Sequence, residues 1–352
     1  MKIVTIIGAR PQFIKAAVIS REFKQNRPDI DEVIVHTGQH YDTSMSEIFF
    51  KQLHIPHPNY NLNIGGGSHG VNTGRMIEKI EEILLIEKPK YIIIYGDTDS
   101  TLAGALAACK LQISIIHIEA GLRSYNRKMP EEINRVLTDH ISSILFCPSI
   151  KSYENLIKEG IESNKIHIVG DVMLDAFNFY KEYAQKPIWW DSLNIFSNEY
   201  VLCTIHRAEN TNNIHNLINI LKGLDDSKFP ILIPLHPRTK KIFSTLNIVI
   251  PSNIFIVEPV GYLEMIWLEM NCKIIATDSG GIQKEAFFSK KPCITLREET
   301  EWIELVEIGA NKITGTDPLL IKDYISNLFF TGFDQLVYGN GDTGKKISSQ
   351  II

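Results

Sequence analysis

Apolar positions in this chain gather into short, largely β-branched runs at 2–7, 32–37, 91–95, 113–118, 143–147 and 166–169, most of them closing on glycine or a charged residue. Between them lie stretches that read as helices: 12–25, 45–53, from near Asn72, 101–108, from Pro130, and after Ser149. Runs so short and so continuously apolar suit strands covered on both faces, and their alternation with helices predicts a parallel, doubly wound α/β sheet. A second alternation follows, with strands expected at 200–205, 230–235, 254–257, 273–277 and 292–296. The stretch 180–198, with Pro187, Trp189 and Trp190, is the least periodic and predicts a linker. At 352 residues the chain exceeds one ordinary core and suits two domains, divided as 1–176 and 177–337. In two-domain folds of this shape a final helix commonly returns to the first domain, the role assigned to 338–352.

Charged residues cluster where the predicted strands end. Glu119 arrives as the run 113–118 stops, and an ionised group there is costly unless it faces a polar crevice or a partner. Arg123 and Arg127 follow on a glycine-containing loop, and Pro130, Glu131 and Glu132 open a helix that carries Arg135. Taken alone, Glu131 and Glu132 would only complement a helix dipole; beside Glu119 and Arg123 they point to a site. Arg10 emerges after the first strand, with Lys15 beyond it on the next helix, where the bland alternative is a solvated lysine. Asp97 stands just past the 91–95 strand, whereas Asp99 or Ser100 could simply cap the helix after it.

In the second half His206, His236 and Glu258 follow strands in the same way. The turn Asp278-Ser279-Gly280-Gly281 exposes backbone N–H groups at the start of a helix and suits a diphosphate, and Glu285, a little over one turn on, could reach ribose hydroxyls. The competing reading is an ordinary strand-to-helix turn. Two glycine-rich stretches carry less. Only Gly8 fits the start of a dinucleotide fingerprint, which argues against a nicotinamide cofactor. The loop 63–70 lacks the Gly-Lys-Ser/Thr of a phosphate-binding loop and suits a mobile active-site segment.

Composition narrows the class. A formal charge of −5 gives no basic footprint, which argues against nucleic acid or an anionic membrane as partner. The five cysteines form no Cys-x-x-Cys pair and sit mostly in apolar runs, as expected of reduced thiols in a cytoplasmic protein and not of a metal site. Met1 leads straight into a strand, so neither export nor a membrane span is expected.

Six motifs, in order along nearly the whole chain, resemble one family: Gly-Ala-Arg-Pro at Gly8, Gly-Asp-Thr at Gly96, Glu-Ala-Gly-Leu-Arg at Glu119, Pro-Glu-Glu-Ile-Asn-Arg at Pro130, His-Arg-Ala-Glu-Asn at His206, and Asp-Ser-Gly-Gly-Ile-Gln-Lys-Glu-Ala at Asp278. The family is the non-hydrolysing UDP-N-acetylglucosamine 2-epimerases. The resemblance implies two Rossmann-like domains in a GT-B arrangement, with the sugar in the interdomain cleft and UDP held by the second domain. It also implies a homodimer, no cofactor, no metal, and a product used for surface polysaccharide precursors. C2 of a pyranosyl ring has no adjacent carbonyl, so the implied route eliminates UDP to a 2-acetamidoglucal and adds it back with a proton on the other face. By resemblance Asp97, Glu119 and Glu131 are the acid/base carboxylates. Arg10 and His206 would stabilise the departing diphosphate. Lys15, Arg123, Arg135, His236, Ser279, Gly280, Gly281 and Glu285 would bind the substrate.

Two stretches depart from members that act on plain UDP-N-acetylglucosamine. Gln39-His40-Tyr41-Asp42 lacks the arginine associated with an activating UDP-sugar site, and Thr300-Glu301-Trp302-Ile303-Glu304 replaces Thr-Glu-Arg-Pro-Glu. With 260–265, both look more like the branch acting on UDP-2,3-diacetamido-2,3-dideoxyglucuronate. A hydrolysing epimerase and a GT-B glycosyltransferase remain as alternatives, as does a catalytically silent UDP-sugar-binding protein.

Overall fold

The computed structural model describes residues 1–39, 53, 56–235, 239–240, 242–243 and 249–352. Nearly all of the helix expected at 45–53, the His40–Asp42 stretch and His236 lie outside the described residues.

The chain forms two compact units, Met1–Ala176 with Leu336–Ile352, and Phe177–Gln335. The first contains β1 (Lys2–Ile7), α1 (Arg10–Asn26), β2 (Asp31–His36), β3 (Tyr60–Asn61), α2 (His69–Glu87), β4 (Tyr91–Tyr95), α3 (Asp99–Lys110), β5 (Ser114–Ile118), α4 (Pro130–Ile141), β6 (Ile144–Cys147), α5 (Ile150–Lys158) and β7 (Ile166–Ile168). Its strands run parallel in the order β3-β2-β1-β4-β5-β6-β7. After α6 (Val172–Tyr180) the second unit adds β8 (Val201–Thr204), α7 (Ala208–Thr211), α8 (Ile214–Asp225), β9 (Ile231–Pro234), β10 (Ile254–Val257), α9 (Tyr262–Asn271), β11 (Ile274–Thr277), α10 (Gly280–Phe288), β12 (Cys293–Thr295), α11 (Ile303–Glu307), β13 (Asn311–Ile313) and α12 (Pro318–Asn327). Its sheet, also parallel, runs β10-β9-β8-β11-β12-β13. Both sheets therefore start at an inner strand, grow outward to one edge, and then reverse to grow toward the other. That order is the Rossmann-like, doubly wound α/β architecture expected from the alternation.

The strands form where they do because their side chains are swallowed on both faces. Ile92, Ile93 and Ile94 of β4 and Ile3, Val4, Ile6 and Ile7 of β1 are fully buried. β3 and β13 had no sequence counterpart, since two or three residues of Tyr-Asn or Asn-Lys-Ile carry no apolar run and pair only as sheet edges. The stretch 180–198 is no free linker. It forms two short 3₁₀ turns, and Trp190 buries its ring against Tyr200 and Trp267 in the core of the second unit. The carboxyl-terminal α13 (Thr343–Gln350) packs on α1 and is held by the Arg27 guanidinium, which donates to Ser348 O at 2.5 Å and Ile351 O at 2.9 Å. Gly344 N–H also donates to Asp175 Oδ2 at 2.9 Å.

Two glycines are demanded by close approach at the edge where the charged residues gather. A β-carbon at Gly8 would lie 2.1 Å from Ser100 Oγ and 2.2 Å from Thr37 Oγ1. At Gly121, where φ is +82°, it would lie 2.3 Å from Ser152 O. Among the described residues no helix is long and apolar enough to cross a membrane.

Candidate active site

In the first unit strand order reverses between β1 and β4; Arg10 opens the helix after β1, and the loops leaving β4 and β5 carry Asp97 and Glu119. In such sheets ligands lie beyond the carboxyl ends at this reversal. Gln12 ties the edge together. Its Oε1 accepts from Gly8 N–H (2.8 Å) and Ala9 N–H (3.0 Å), and its Nε2 donates to Tyr95 O (2.8 Å), Thr98 Oγ1 (3.0 Å) and Thr101 Oγ1 (2.9 Å). Lys15, one turn further along α1, is not the solvated helix residue of the bland reading. Its Nζ lies 2.7 Å from Glu119 Oε2, and both side chains are only 8% exposed. The Arg135 guanidinium from α4 pairs with Asp97 Oδ2 and reaches Glu132 Oε2 at 3.3 Å. Asn134 Nδ2, on the same helix, donates to Asp97 O at 3.0 Å and to Asp99 Oδ1 at 3.1 Å.

Asp99 does not cap α3. Thr98 does, its Oγ1 accepting from Thr101 N–H at 3.3 Å, and the Asp99 carboxylate instead holds His69 Nδ1 at 2.7 Å. His69 stands at the start of α2, which begins three residues before the expected Asn72.

Two features mark this cluster as more than a fold brace. Glu119 has φ +71°, a left-handed conformation that is strained for a residue with a β-carbon and that recurs at functional sites. Burial pushes the Asp97 carboxyl above its ordinary value; Arg135 and Lys15 oppose the rise, while Glu119 and Glu131 add to it. Glu131 thus acts electrostatically on Asp97 from the first turn of α4. A carboxyl raised toward neutrality beside another paired with a lysine is suited to holding a proton in one place and accepting one in the other. The sign of the Arg135 effect gives a prediction. A cation favours the carboxylate, so Arg135→Met should push the Asp97 carboxyl higher still, read as an upward move of its titration in carboxyl ¹³C NMR.

Arg123, expected to bind substrate, is placed elsewhere. It is 2% exposed, and its guanidinium donates to Glu159 through Nε and Nη2 (2.6 Å each), to Asp139 Oδ2 (2.7 Å) and to Leu122 O (2.6 Å). Those bonds make it an internal brace of the loop after β5. Glu132 holds the next part of that loop, accepting from Ser124 N–H and Tyr125 N–H at 2.9 Å each. Arg10 is exposed at the first turn of α1.

The second unit repeats the arrangement at its own reversal, between β8 and β11. Asp278, fully buried, accepts from His206 N–H (3.1 Å to each oxygen), Arg207 N–H (3.0 Å) and Asn210 Nδ2 (3.1 Å), joining the loops after the two strands. The His206 ring is half exposed, with Nδ1 3.3 Å from Asp278 Oδ1. Ser279 caps α10, accepting from Ile282 N–H at 3.5 Å. A β-carbon at Gly280 would lie 2.2 Å from Glu301 Oε1, whereas at Gly281 the nearest atom would be Ser279 Oγ at 3.9 Å. Glu285 is nearly buried beside Tyr262.

Glu269, on α9, is fully buried with both carboxyl oxygens unpartnered, and burial, reinforced by Glu285, pushes it well above the ordinary 4.5. Because the folded state holds this proton more tightly than the unfolded chain, stability declines as pH rises above about 4.5 toward the folded value. Glu269→Gln should therefore gain on the parent protein by up to about 1.4 kcal/mol per pH unit across that window, measurable by urea unfolding from pH 4.5 upward.

The whole-chain comparisons decide the family. The profile described as UDP-N-acetylglucosamine 2-epimerase matches residues 22–352. The chain belongs to the UDP-N-acetylglucosamine 2-epimerase family. As a 2-epimerase it is an isomerase. It is 55% identical over 93% of its length to a UDP-N-acetylglucosamine 2-epimerase homolog of Methanococcus maripaludis, covering 92% of that protein. It is 49% identical over its full length to the UDP-2,3-diacetamido-2,3-dideoxy-D-glucuronate 2-epimerase of Pseudomonas aeruginosa, covering 99% of it. Among solved structures, the Methanocaldococcus jannaschii UDP-GlcNAc 2-epimerase in complex with UDP-GlcNAc and UDP superposes with a TM-score of 0.90 at 44% identity, each chain covered to 99%.

Within this 2-epimerase chain, the residues brought together in the first unit are Lys15, Asp97, Glu119, Glu131 and Arg135, and in the second His206, Ser279, Gly280, Gly281 and Glu285. Gln12, Asn134 and the Asp278 carboxylate organise those groups, and motif spacing did not single them out. Asp278 stood at the head of the Ser-Gly-Gly motif, so its place was visible, but its bonds to the loop after β8 depend on strands 70 residues apart in sequence.

Proposed function

We propose that the enzyme inverts C2 of a UDP-N-acetylglucosamine-type sugar without hydrolysing it, converting UDP-GlcNAc to UDP-ManNAc or acting likewise on the 2,3-diacetamido-glucuronate analogue. The observation that carries this reading is the cluster at the end of β4 and β5, where Asp97, held toward neutrality, adjoins Glu119 paired with Lys15. One carboxylate takes the C2 proton as the C1–O bond to the diphosphate breaks and its electron pair leaves on UDP. The product of that step is a 2-acetamidoglucal. A carboxylic acid on the opposite face then returns a proton to C2 while the UDP oxygen re-forms the bond to C1. Asp97, Glu119 and Glu131 supply these groups. Arg10 and His206 stabilise the departing diphosphate, Ser279 and the backbone N–H groups of Gly280 and Gly281 bind phosphate, and Glu285 binds ribose. We further propose that the product serves surface polysaccharide precursors and that the enzyme works as a homodimer.

Proton NMR of reactions with UDP-GlcNAc and with UDP-2,3-diacetamido-2,3-dideoxyglucuronate, run side by side, tests the reading. The expected result is an equilibrium mixture of two intact UDP-sugars epimeric at C2 from at least one of them. A free reducing sugar, or no epimer from either substrate, overturns it.

A further inference from the structure

His117 lies in β5, two residues before Glu119, and its imidazole is fully buried. Its Nδ1 is 2.7 Å from Asp139 Oδ1 and its Nε2 is 2.7 Å from the Gly96 carbonyl oxygen. Neither partner can donate. The Gly96 carbonyl can only accept, so Nε2 carries the proton and donates to it, while Nδ1 meets the Asp139 carboxylate. Asp139 is the partner at the other nitrogen. Burial pushes its carboxyl up, but His117 and Arg123 outweigh this and hold it below the ordinary carboxylate value. Asp139 is itself fixed, accepting from Gly121 N–H at 3.1 Å and from Arg123 Nη1 at 2.7 Å.

The other end of the ring bears on the site. Gly96 has φ +64°, and its α-carbon faces the Lys15–Glu119 pair: a β-carbon there would lie 3.4 Å from Lys15 Nζ and 3.7 Å from Glu119 Oε1. Gly96 N–H donates to Ile118 O at 3.0 Å, and the carbonyl held by His117 belongs to the peptide that leads into Asp97. We propose that His117 is a positioning residue: anchored by Asp139, it fixes the Gly96–Asp97 peptide and so sets the Asp97 carboxyl against Glu119 and Lys15. The His117 side chain is fully buried, so it acts through its partners and not by touching substrate. The inference rests on the role given to Asp97 above.

Two substitutions separate the ends of the ring. In His117→Gln the amide reaches the Nε2 position and can still donate to Gly96 O; in His117→Asn it reaches only the Nδ1 position, beside Asp139. The asparagine variant should lose about 30-fold or more in kcat with KM within about twofold, and the glutamine variant should stay within about fivefold of the parent, because small displacements of reacting groups are costly. Carboxyl ¹³C NMR supplies a readout that needs no turnover: the Asp97 titration should move in His117→Asn and stay in place in His117→Gln. Equal kcat in the two variants, or an unmoved Asp97 titration in His117→Asn, overturns the inference. An absence of epimerisation in the parent protein would count against the proposed function alone, with the Asp97 titration still deciding the role of His117.

Discussion

Glu119→Gln should lower kcat by about 10²- to 10⁴-fold while the protein remains folded, the range expected when a group that moves a proton is removed. The substitution keeps the side chain's shape and its place beside Lys15 but removes the charge now 2.7 Å from Nζ. Lys15 is not left without a neighbouring carboxyl, since it still acts on Asp97. The fold should therefore tolerate the change better than the chemistry does. Asp97→Asn and Glu131→Gln should each slow turnover by orders of magnitude for the same reason. Steady-state kinetics beside a thermal melt checks all three, and near-parental activity in any one removes that residue from the mechanism. The strain at Glu119 adds a second readout. With φ at +71°, glycine here relieves about 1 kcal/mol of backbone strain but also leaves buried Lys15 without this partner, so Glu119→Gly should be inactive and destabilised, though by less than Glu119→Ala in unfolding measurements.

Asp278→Ala should destabilise the second unit by about 3–5 kcal/mol, because its carboxylate is the shared acceptor for His206 N–H, Arg207 N–H and Asn210 Nδ2. For a unit of this size that corresponds to a fall of roughly 10 °C in melting temperature. The consequence for binding is separate. The loop carrying His206 and the turn carrying Ser279 are joined through this one side chain, so UDP affinity should fall about tenfold or more even at temperatures where the variant is folded. Scanning calorimetry and titration with UDP read the two effects independently. A loss below about 1 kcal/mol with unchanged UDP affinity would mean that the loops hold their places without it.

How much of this was legible beforehand differs by kind of residue. The strands of both sheets were visible because buried parallel strands are continuous apolar runs, and Asp97, Glu119 and Ser279 were visible because a polar residue directly after such a run has few other reasons to be there. Partnerships were not. Lys15 was named as a substrate-binding residue by resemblance, but its pairing with Glu119 was not visible, since only the return of β5 beside β4 brings the two together. Arg123 misleads. An arginine on a glycine loop looks available, but Glu159, just past α5, and Asp139 of α4 enclose it, and neither is near it in sequence. The left-handed conformation of Glu119 had no signal either, since glutamate carries none of the preference that marks glycine at such positions. Trp190 shows the limit of periodicity: an irregular segment can still pack if it carries large aromatic rings.

The central claim is that carboxylates at the ends of β4 and β5 move a proton at C2 of a UDP-sugar. Incubation of the parent protein with UDP-sugar in D₂O, with no acceptor present, tests it most directly. Deuterium is expected at C2 of both recovered epimers, with incorporation abolished in Glu119→Gln. Epimers that retain protium at C2, or UDP-sugar recovered unlabelled and unepimerised, would contradict it.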